Sequence, residues 1–248
     1  MRIWDSHVHL KHGDADRTEY SAAQIVSTMD AAGIERSVVF AMSTTTERSV
    51  EMALEAVREF PDRLIPYVYA LPQYGHAVLD EIARALTEQG FRGIKIHAGE
   101  CTLAEYVVGP VFELAARRGV PCLIDCLGNV RAAERLARAF PGTIQIVAHM
   151  GCYLGTDARL LEGFIALAQA HDNVYLDLSG VVLLEQVQQA VGRLGAGRLI
   201  FGTDGPQQAP DTASFARLAI RKIDVLDLAD DQKEDIFWRN IAGLLRLA

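Results

Sequence analysis

The residues of this 248-residue chain whose types and spacing best suit chemistry lie close to its start, in Trp4-Asp5-Ser6-His7-Val8-His9. On a strand of period two, polar Asp5, His7 and His9 point to one face, among apolar Ile3, Trp4 and Val8. Two imidazoles one strand repeat apart, aimed the same way at the end of a strand, can share a divalent metal. The plainer alternative is a polar strand face. Ligand-type residues at the ends of other strands decide between the two.

Hydrophobic periodicity and turn residues divide the chain into eight strands alternating with helices. After the first strand, Ser21-Ala22-Ala23-Gln24 reads as a capping box that opens a helix ending at Gly33. Ser37 to Met42 is the second strand, residues 46–60 an amphipathic helix stopped by Pro61, and Leu64 to Leu71 the third strand. A helix over residues 76–89 ends at Gly90 and leads to the fourth strand, Gly93 to His97. Helical residues over 103–118, interrupted by Gly109-Pro110, precede the fifth, Val120 to Asp125. A helix from Asn129 to Phe140 leads to Ile144 to His149, the sixth, and one over 157–171 leads to Asn173 to Ser179, the seventh. A helix across 183–194 precedes Leu199 to Asp204, the eighth, and helices near 212–222 and 230–246 close the chain.

Parallel strand–helix–strand units of roughly 25 to 35 residues, repeated until the sheet closes, give a single (β/α)8 barrel domain. An open doubly wound sheet would instead carry a Gly-rich phosphate turn after the first strand. Residues 9–14 read His-Leu-Lys-His-Gly-Asp, which is not one.

Barrels of this kind place their chemistry at the carboxyl ends of the strands. Those ends read His7 and His9, then Met42, Leu71, His97, Asp125, His149, Ser179 and Asp204, so five of the eight strands finish in His or Asp. Scattered surface residues would not gather at one rim so often.

The motifs are now specific enough to compare. Asp5-Ser6-His7-Val8-His9, Gly93-Ile94-Lys95-Ile96-His97, Ala148-His149-Met150-Gly151, Asp177-Leu178-Ser179-Gly180, Phe201-Gly202-Thr203-Asp204-Gly205-Pro206 and Asn240-Ile241-Ala242, in this order, resemble the amidohydrolase superfamily. The resemblance is to its amidohydrolase-related branch of metal-dependent hydrolases and decarboxylases. It implies an enzyme in which the first-strand His7 and His9, a fifth-strand His and the eighth-strand Asp204 hold one divalent metal, usually zinc, while the sixth-strand His149 assists catalysis. This chain departs from that pattern at the fifth strand, which ends in Asp125. A carboxylate ligates zinc at about the same distance as an imidazole but is harder and adds charge. The set His7, His9, Asp125 and Asp204 therefore suits zinc and equally manganese or iron. Otherwise Asp125 is no ligand, and His149 completes the site or the metal is absent.

With an ion bound, a water in the open position would have its pKa drawn from near 16 toward roughly 7. Asp204 is the candidate general base, its alternative being a helix N-cap ahead of Gly205-Pro206. His149 would polarise a substrate carbonyl or stabilise an oxyanion; alternatively a backbone carbonyl satisfies its ring. His97 and Lys95 share a strand face as substrate binders. In binuclear relatives a fourth-strand lysine is carbamylated, but here the strand ends in His, which points Lys95 toward a buried ion pair or a substrate carboxylate. Arg17 or Arg48 could clamp such a carboxylate bidentately, against a solvated surface role. His12, Tyr74, Glu100, Asn129, Tyr153 and Ser179 complete the rim, while Phe237, Trp238 and Asn240 read as packing and bracing of the last helix.

Composition bounds the rest. A net charge of −8 excludes a nucleic-acid footprint, which needs clustered Lys and Arg. No apolar run approaches the roughly 20 residues that span a bilayer, and the strand-like start carrying Asp5 is no signal peptide, so a cytoplasmic protein with reduced cysteines is expected. The short loops imply a small-molecule substrate, or a site completed by another subunit, with which a homodimer is compatible. The expected function is a metal-dependent hydrolase that cleaves a C–N or C–O bond in a small, anionic metabolite. A decarboxylase or hydratase of the same fold is the alternative. A non-catalytic barrel binding a metabolite or metal, with Asp125 marking a decayed site, is a third reading of another class.

Overall fold

Short runs of Val, Ile, Leu and aromatic residues, each followed by an amphipathic helix, pair as parallel strands in strict sequence order. The computed structural model describes residues 1–72 and 76–247; Tyr74 lies outside them. The strands are β1 (Trp4–Lys11), β2 (Arg36–Ala41), β3 (Leu64–Tyr69), β4 (Gly93–His97), β5 (Cys122–Asp125), β6 (Gln145–Val147), β7 (Val174–Asp177) and β8 (Leu199–Ile200). Between and after them run α1 (Ala22–Ala32), α2 (Thr46–Glu59), α3 (His76–Glu88), α4 (Glu105–Arg118), α5 (Val130–Ala139), α6 (Ala158–Ala170), α7 (Leu184–Leu194) and α8 (Thr212–Asp224). A terminal helical stretch, α9 (Asp230–Glu234) and α10 (Asn240–Leu244), is joined through a wider π turn at Asp235–Arg239.

The barrel closes where the last strand meets the first. Ser6 N donates to Phe201 O at 3.1 Å, Asp204 N to His7 O at 2.9 Å and His9 N to Gly205 O at 2.7 Å. Those bonds remove the sheet edges and bring the segments that carry His7, His9 and Asp204 together. Among the described residues no helix is long and apolar enough to cross a membrane.

The expected caps are present. Ser21 Oγ accepts from Gln24 N at 3.2 Å, Gln24 Oε1 accepts from Ser21 N at 2.8 Å, and Gly33 ends α1 with a φ of 77°. Gly109-Pro110, in contrast, does not interrupt α4. Pro110 removes one bond, to the carbonyl of exposed Tyr106 near the helix start, while Val108, Val111, Phe112 and Ala115 stay buried and hold the remainder.

Three further differences touch the rim. β6 and β8 stop short of His149 and Asp204, which sit on turns with φ of 59° and 63°. β1 carries a bulge, because Asp5 pairs with Ser37 and Val8 with Val39, three residues advanced against two. Asp5 therefore leaves the face of His7 and His9. It accepts from Thr203 N at 2.9 Å, Thr203 Oγ1 at 2.6 Å and His7 N at 3.1 Å, and burial raises its pKa to about 7.

Inside the barrel, Phe40, Tyr67, Leu123, Ile146 and Ile200 are fully buried. Gly93 on β4 makes room for Tyr67 on β3, since a Cβ there would come within 2.3 Å of the ring. Gly93→Ala should cost about 1–3 kcal/mol by overpacking. A lower urea midpoint at an unchanged m-value is the expected reading; an unchanged midpoint would show that the ring can move aside.

Candidate metal centre

Asp204 lies at the centre of the rim. Its Oδ1 is 2.9 Å from His9 Nε2, 3.2 Å from His7 Nε2 and 4.0 Å from His149 Nε2. The helix-cap alternative does not apply, because α8 starts at Thr212 and is capped by Asp211, which accepts from Ser214 N.

Two of these imidazoles are turned by a partner on the far side, whereas His9 Nδ1 is buried without one among the described residues. His7 Nδ1 donates to Asp177 Oδ2 at 3.2 Å, with Ser179 Oγ 3.1 Å away, leaving the Nε2 lone pair directed inward. Ser179 Oγ donates to the same Asp177 oxygen, which also accepts from His149 N at 3.0 Å. His149 Nδ1 donates to the Ser179 carbonyl at 3.0 Å. The expected alternative of a ring satisfied by a carbonyl is thus real but covers only one nitrogen. The other, Nε2, faces Asp125 Oδ2 at 3.4 Å and Asp204 Oδ1 at 4.0 Å.

A buried lone pair opposite two carboxylate oxygens is repulsive unless a proton or a metal ion lies between them. His7, His149 and Asp204 each offer one ligand atom, and the three atoms all lie within 4.8 Å of one another. Two imidazoles and a carboxylate, oriented from behind by Asp177 and Ser179, form a donor set that fits one divalent metal ion.

Electrostatics agree. Burial holds His7 well below its ordinary pKa, with Lys95 adding to the effect, and brings His9 down to about 4. Both rings are therefore neutral at pH 7, the form that binds metals. For His149 burial acts downward, but Asp125, Asp204 and Asp177 outweigh it and raise the pKa. Burial would raise Asp204, yet His149, His9 and His7 hold its carboxyl well below the usual range. Asp125 is lowered likewise by hydrogen bonds from His149 and His97 that overcome its burial.

The other expected site residues divide. Asp125 Oδ2 joins His149 to His97, whose Nε2 is 3.3 Å away, so Asp125 borders the three-donor group rather than standing within it. Lys95 is buried with Nζ 3.0 Å from His7 Nε2, and burial lowers its pKa against the pull of Asp125, Asp204 and Asp177. Arg17 is exposed at the mouth, its Nη1 3.6 Å from Glu100 Oε1, and Glu100 also accepts from Ser43 and Tyr69 OH. The structure does not bring Arg48 to the centre; on the outer face of α2 it pairs with Glu51 at 2.9 Å and Glu55 at 3.8 Å. His12 donates to Pro206 O at 2.8 Å and stacks on His9 at 4.3 Å.

Asp177 escaped the sequence reading as a site residue. Its signal was the Asp-Leu-Ser spacing, which puts a carboxylate and a hydroxyl on one face at the end of β7. Gly202 is part of the same support, since a Cβ there would lie 2.3 Å from Asp177 Oδ1 and 3.0 Å from His7 Cβ. Gly202→Ala should displace the Asp177–His7 pair and weaken metal binding by about 10–100-fold. Zinc titration against a competing chelator measures this, and wild-type affinity would refute the role given to Gly202.

Backbone strain gathers at this end of the barrel. Of the eight non-glycine residues with positive φ among those described, Arg17, Ser43, Leu127, His149, Met150, Leu154 and Asp204 lie in or beside the turns that follow strands, and only Arg246 lies elsewhere. Such residues persist where surrounding structure fixes them and cluster at functional sites.

The sequence profile of the amidohydrolase family matches residues 2–247. No curated protein sequence matches. Among solved structures, 5-carboxyvanillate decarboxylase from Sphingomonas paucimobilis is similar at a TM-score of 0.77 and 15% identity, covering 100% of this chain and 99% of that one. The 4-oxalomesaconate hydratase from Rhodopseudomonas palustris is similar at 0.72 and 14%, covering 99% and 96%. A protein described as a probable 2-pyrone-4,6-dicarboxylic acid hydrolase from Acinetobacter baumannii is similar at 0.73 and 17%, covering 99% and 100%. At these identities the likeness is one of fold.

Proposed function

We propose that this chain, which belongs to the amidohydrolase family, is a metal-dependent hydrolase that opens a C–N or C–O bond in a small anionic metabolite. The observation that carries this reading is one carboxylate oxygen, Asp204 Oδ1, set 2.9–4.0 Å from the Nε2 atoms of three buried imidazoles. His7, His149 and Asp204 would hold the ion, with His9 beside them. Zinc suits the donors first, and manganese or iron also fit. A divalent ion there supplies Lewis acidity and draws the pKa of a water toward about 7.

The chain's own groups do the rest. Asp204, ionised and oriented by His9, takes the proton of the attacking water and returns it to the leaving nitrogen or oxygen. Lys95 brings a positive charge to the substrate's carboxylate or to the developing oxyanion. His149, with its Nδ1–H on the Ser179 carbonyl and its Nε2 turned to the ion, serves as a ligand. His97 and Arg17 meet the substrate nearer solvent, where Arg17 offers a planar fork to a carboxylate.

Decarboxylation or hydration is the second reading. It is favoured by the burial of Lys95 at the centre, where an ammonium stabilises negative charge developing on a substrate that loses carbon dioxide or adds water. The names carried by two of the similar structures fit it as well. One experiment separates these readings: elemental analysis of the purified protein, then a panel of lactones, amides and carboxylated substrates followed by proton release and carbon dioxide release. Stoichiometric metal with lactone or amide turnover and no carbon dioxide is the expected result. Carbon dioxide release or hydration would move the assignment to the second reading. Protein that holds no metal and gains no activity from added zinc, manganese or iron would leave a binding barrel.

A further inference from the structure

We propose that Leu127 and Leu154, together with the ring of Tyr153, form an apolar wall at the mouth of the centre that binds the non-reacting, apolar part of the substrate. This rests on the reading of the centre as an enzyme site.

Leu127 and Leu154 contradict two local rules at once. Their backbones are left-handed, with φ of 46° and 49°, a strain on an L-residue that glycine would avoid. Their side chains are also 56% and 51% exposed, so little burial offsets that strain. A residue that breaks local preferences without a compensating gain in the fold is the mark of a functional position.

Their placement says what the function is. Leu127 follows Asp125, whose Oδ1 accepts from Leu127 N at 2.9 Å. A Cβ on Gly99 would lie 2.8 Å from the His97 ring and 3.6 Å from Leu127 Cδ1, so Leu127 stands across Gly99 from His97. Tyr153 sets its ring edge-on to His149 at 5.0 Å and is 38% exposed. Gly180, at a φ of 64°, permits this, since a Cβ there would come within 2.4 Å of the Tyr153 ring. Leu154 N donates to Gly180 O at 3.2 Å and Gly128 N to Gly151 O at 2.7 Å, tying the turns after β5, β6 and β7 into one rim. Leu127 thus stands beside His97 and Tyr153 beside His149, the two imidazoles on either side of Asp125, and Leu154 is exposed on the turn that carries Tyr153. A few side chains are too small a face for a second copy of the chain, because a stable interface needs roughly 800 Å² per partner.

The test uses two probes, acetate and cyclohexanecarboxylate, which share a carboxylate and differ in apolar bulk. Each is titrated calorimetrically into the full chain, with zinc uptake measured in parallel. In Leu127→Gly/Leu154→Gly, cyclohexanecarboxylate affinity should fall about tenfold while acetate affinity holds. The thermal midpoint should stay level or rise as strain is released. Leu127→Asn/Leu154→Asn, which tolerates the same φ with a polar side chain, should lose the preference equally. Wild-type protein that fails to prefer the apolar acid overturns the proposal, and so does a preference that survives in folded variants. So too does an unchanged preference accompanied by loss of a dimer in analytical ultracentrifugation, which would make the wall a contact between copies. Discrimination by a wild-type protein that takes up no zinc would sink the metal centre while supporting the wall.

Discussion

Asp204→Asn should lose about 10²–10⁴-fold in kcat at unchanged fold, because the amide nitrogen cannot accept the proton that the carboxylate takes. The substitution is nearly isosteric, so the backbone bond from Asp204 N to His7 O and the left-handed turn remain. What changes is charge. The carboxylate that His149, His9 and His7 hold ionised becomes neutral, and the three imidazoles face an amide instead. Metal affinity should fall with it, since an amide oxygen is a weaker ligand than a carboxylate. Turnover on whichever substrate the panel identifies, with metal content measured on the same preparation, checks both effects. A variant retaining more than a tenth of wild-type kcat with its metal in place would remove Asp204 from the role of base.

Asp177→Asn comes next in size and acts without touching the substrate. One oxygen, Asp177 Oδ2, receives His7 Nδ1, Ser179 Oγ and His149 N. An asparagine whose oxygen takes the Oδ2 place keeps those three but turns its amide nitrogen on Ser179 N, which Oδ1 accepts at 3.3 Å, and the flipped amide meets all three with a donor. Leaving a buried donor unpaired costs about 1–3 kcal/mol, and freeing the His7 ring while loosening the turn that carries His149 should weaken metal binding by about 10–100-fold. Denaturant midpoints and zinc titrations read the two losses separately. Ser179→Ala is the comparison, removing only a hydroxyl and costing about 1 kcal/mol. If Asp177→Asn were no worse than Ser179→Ala, the carboxylate would not be the group that orients His7.

The barrel was legible in the sequence because its signal repeats. Each unit carries a buried β-rich run and a capped or Gly-terminated helix, and five of the eight add a His or Asp near the same end, so an error of two residues in one unit leaves the others in phase. The rim was less legible. Nothing in Met150 or Leu154 marks a left-handed turn, and extending β6 to His149 and β8 to Asp204 was the natural reading. The bulge in β1 is a single extra residue, enough to separate Asp5 from His7 and His9 while leaving the period-two pattern looking intact. Pro110 carried its usual warning, but the burial that overrides it comes from residues distant in sequence, such as Phe140 against Gly109. Arg48 is different, because Glu51 three residues on and Glu55 beyond it already offered a surface ion pair. His7, His9, His97, Asp125, His149 and Asp204 converge as the strand ends implied. Their supports, Asp177 and Gly202, became visible only when the chain was folded.

The seam between β8 and β1 joins groups such as His9 and Asp204, 195 positions apart. A nascent chain on the ribosome cannot own this centre until its eighth strand has emerged and returned to the first. On the proposed reading, ion uptake would belong to the last stage of maturation, and a partly made or C-terminally clipped copy lacking that strand would be chemically inert. Contacts of such range also slow folding, so acquisition of the ion would report completion of the slowest step.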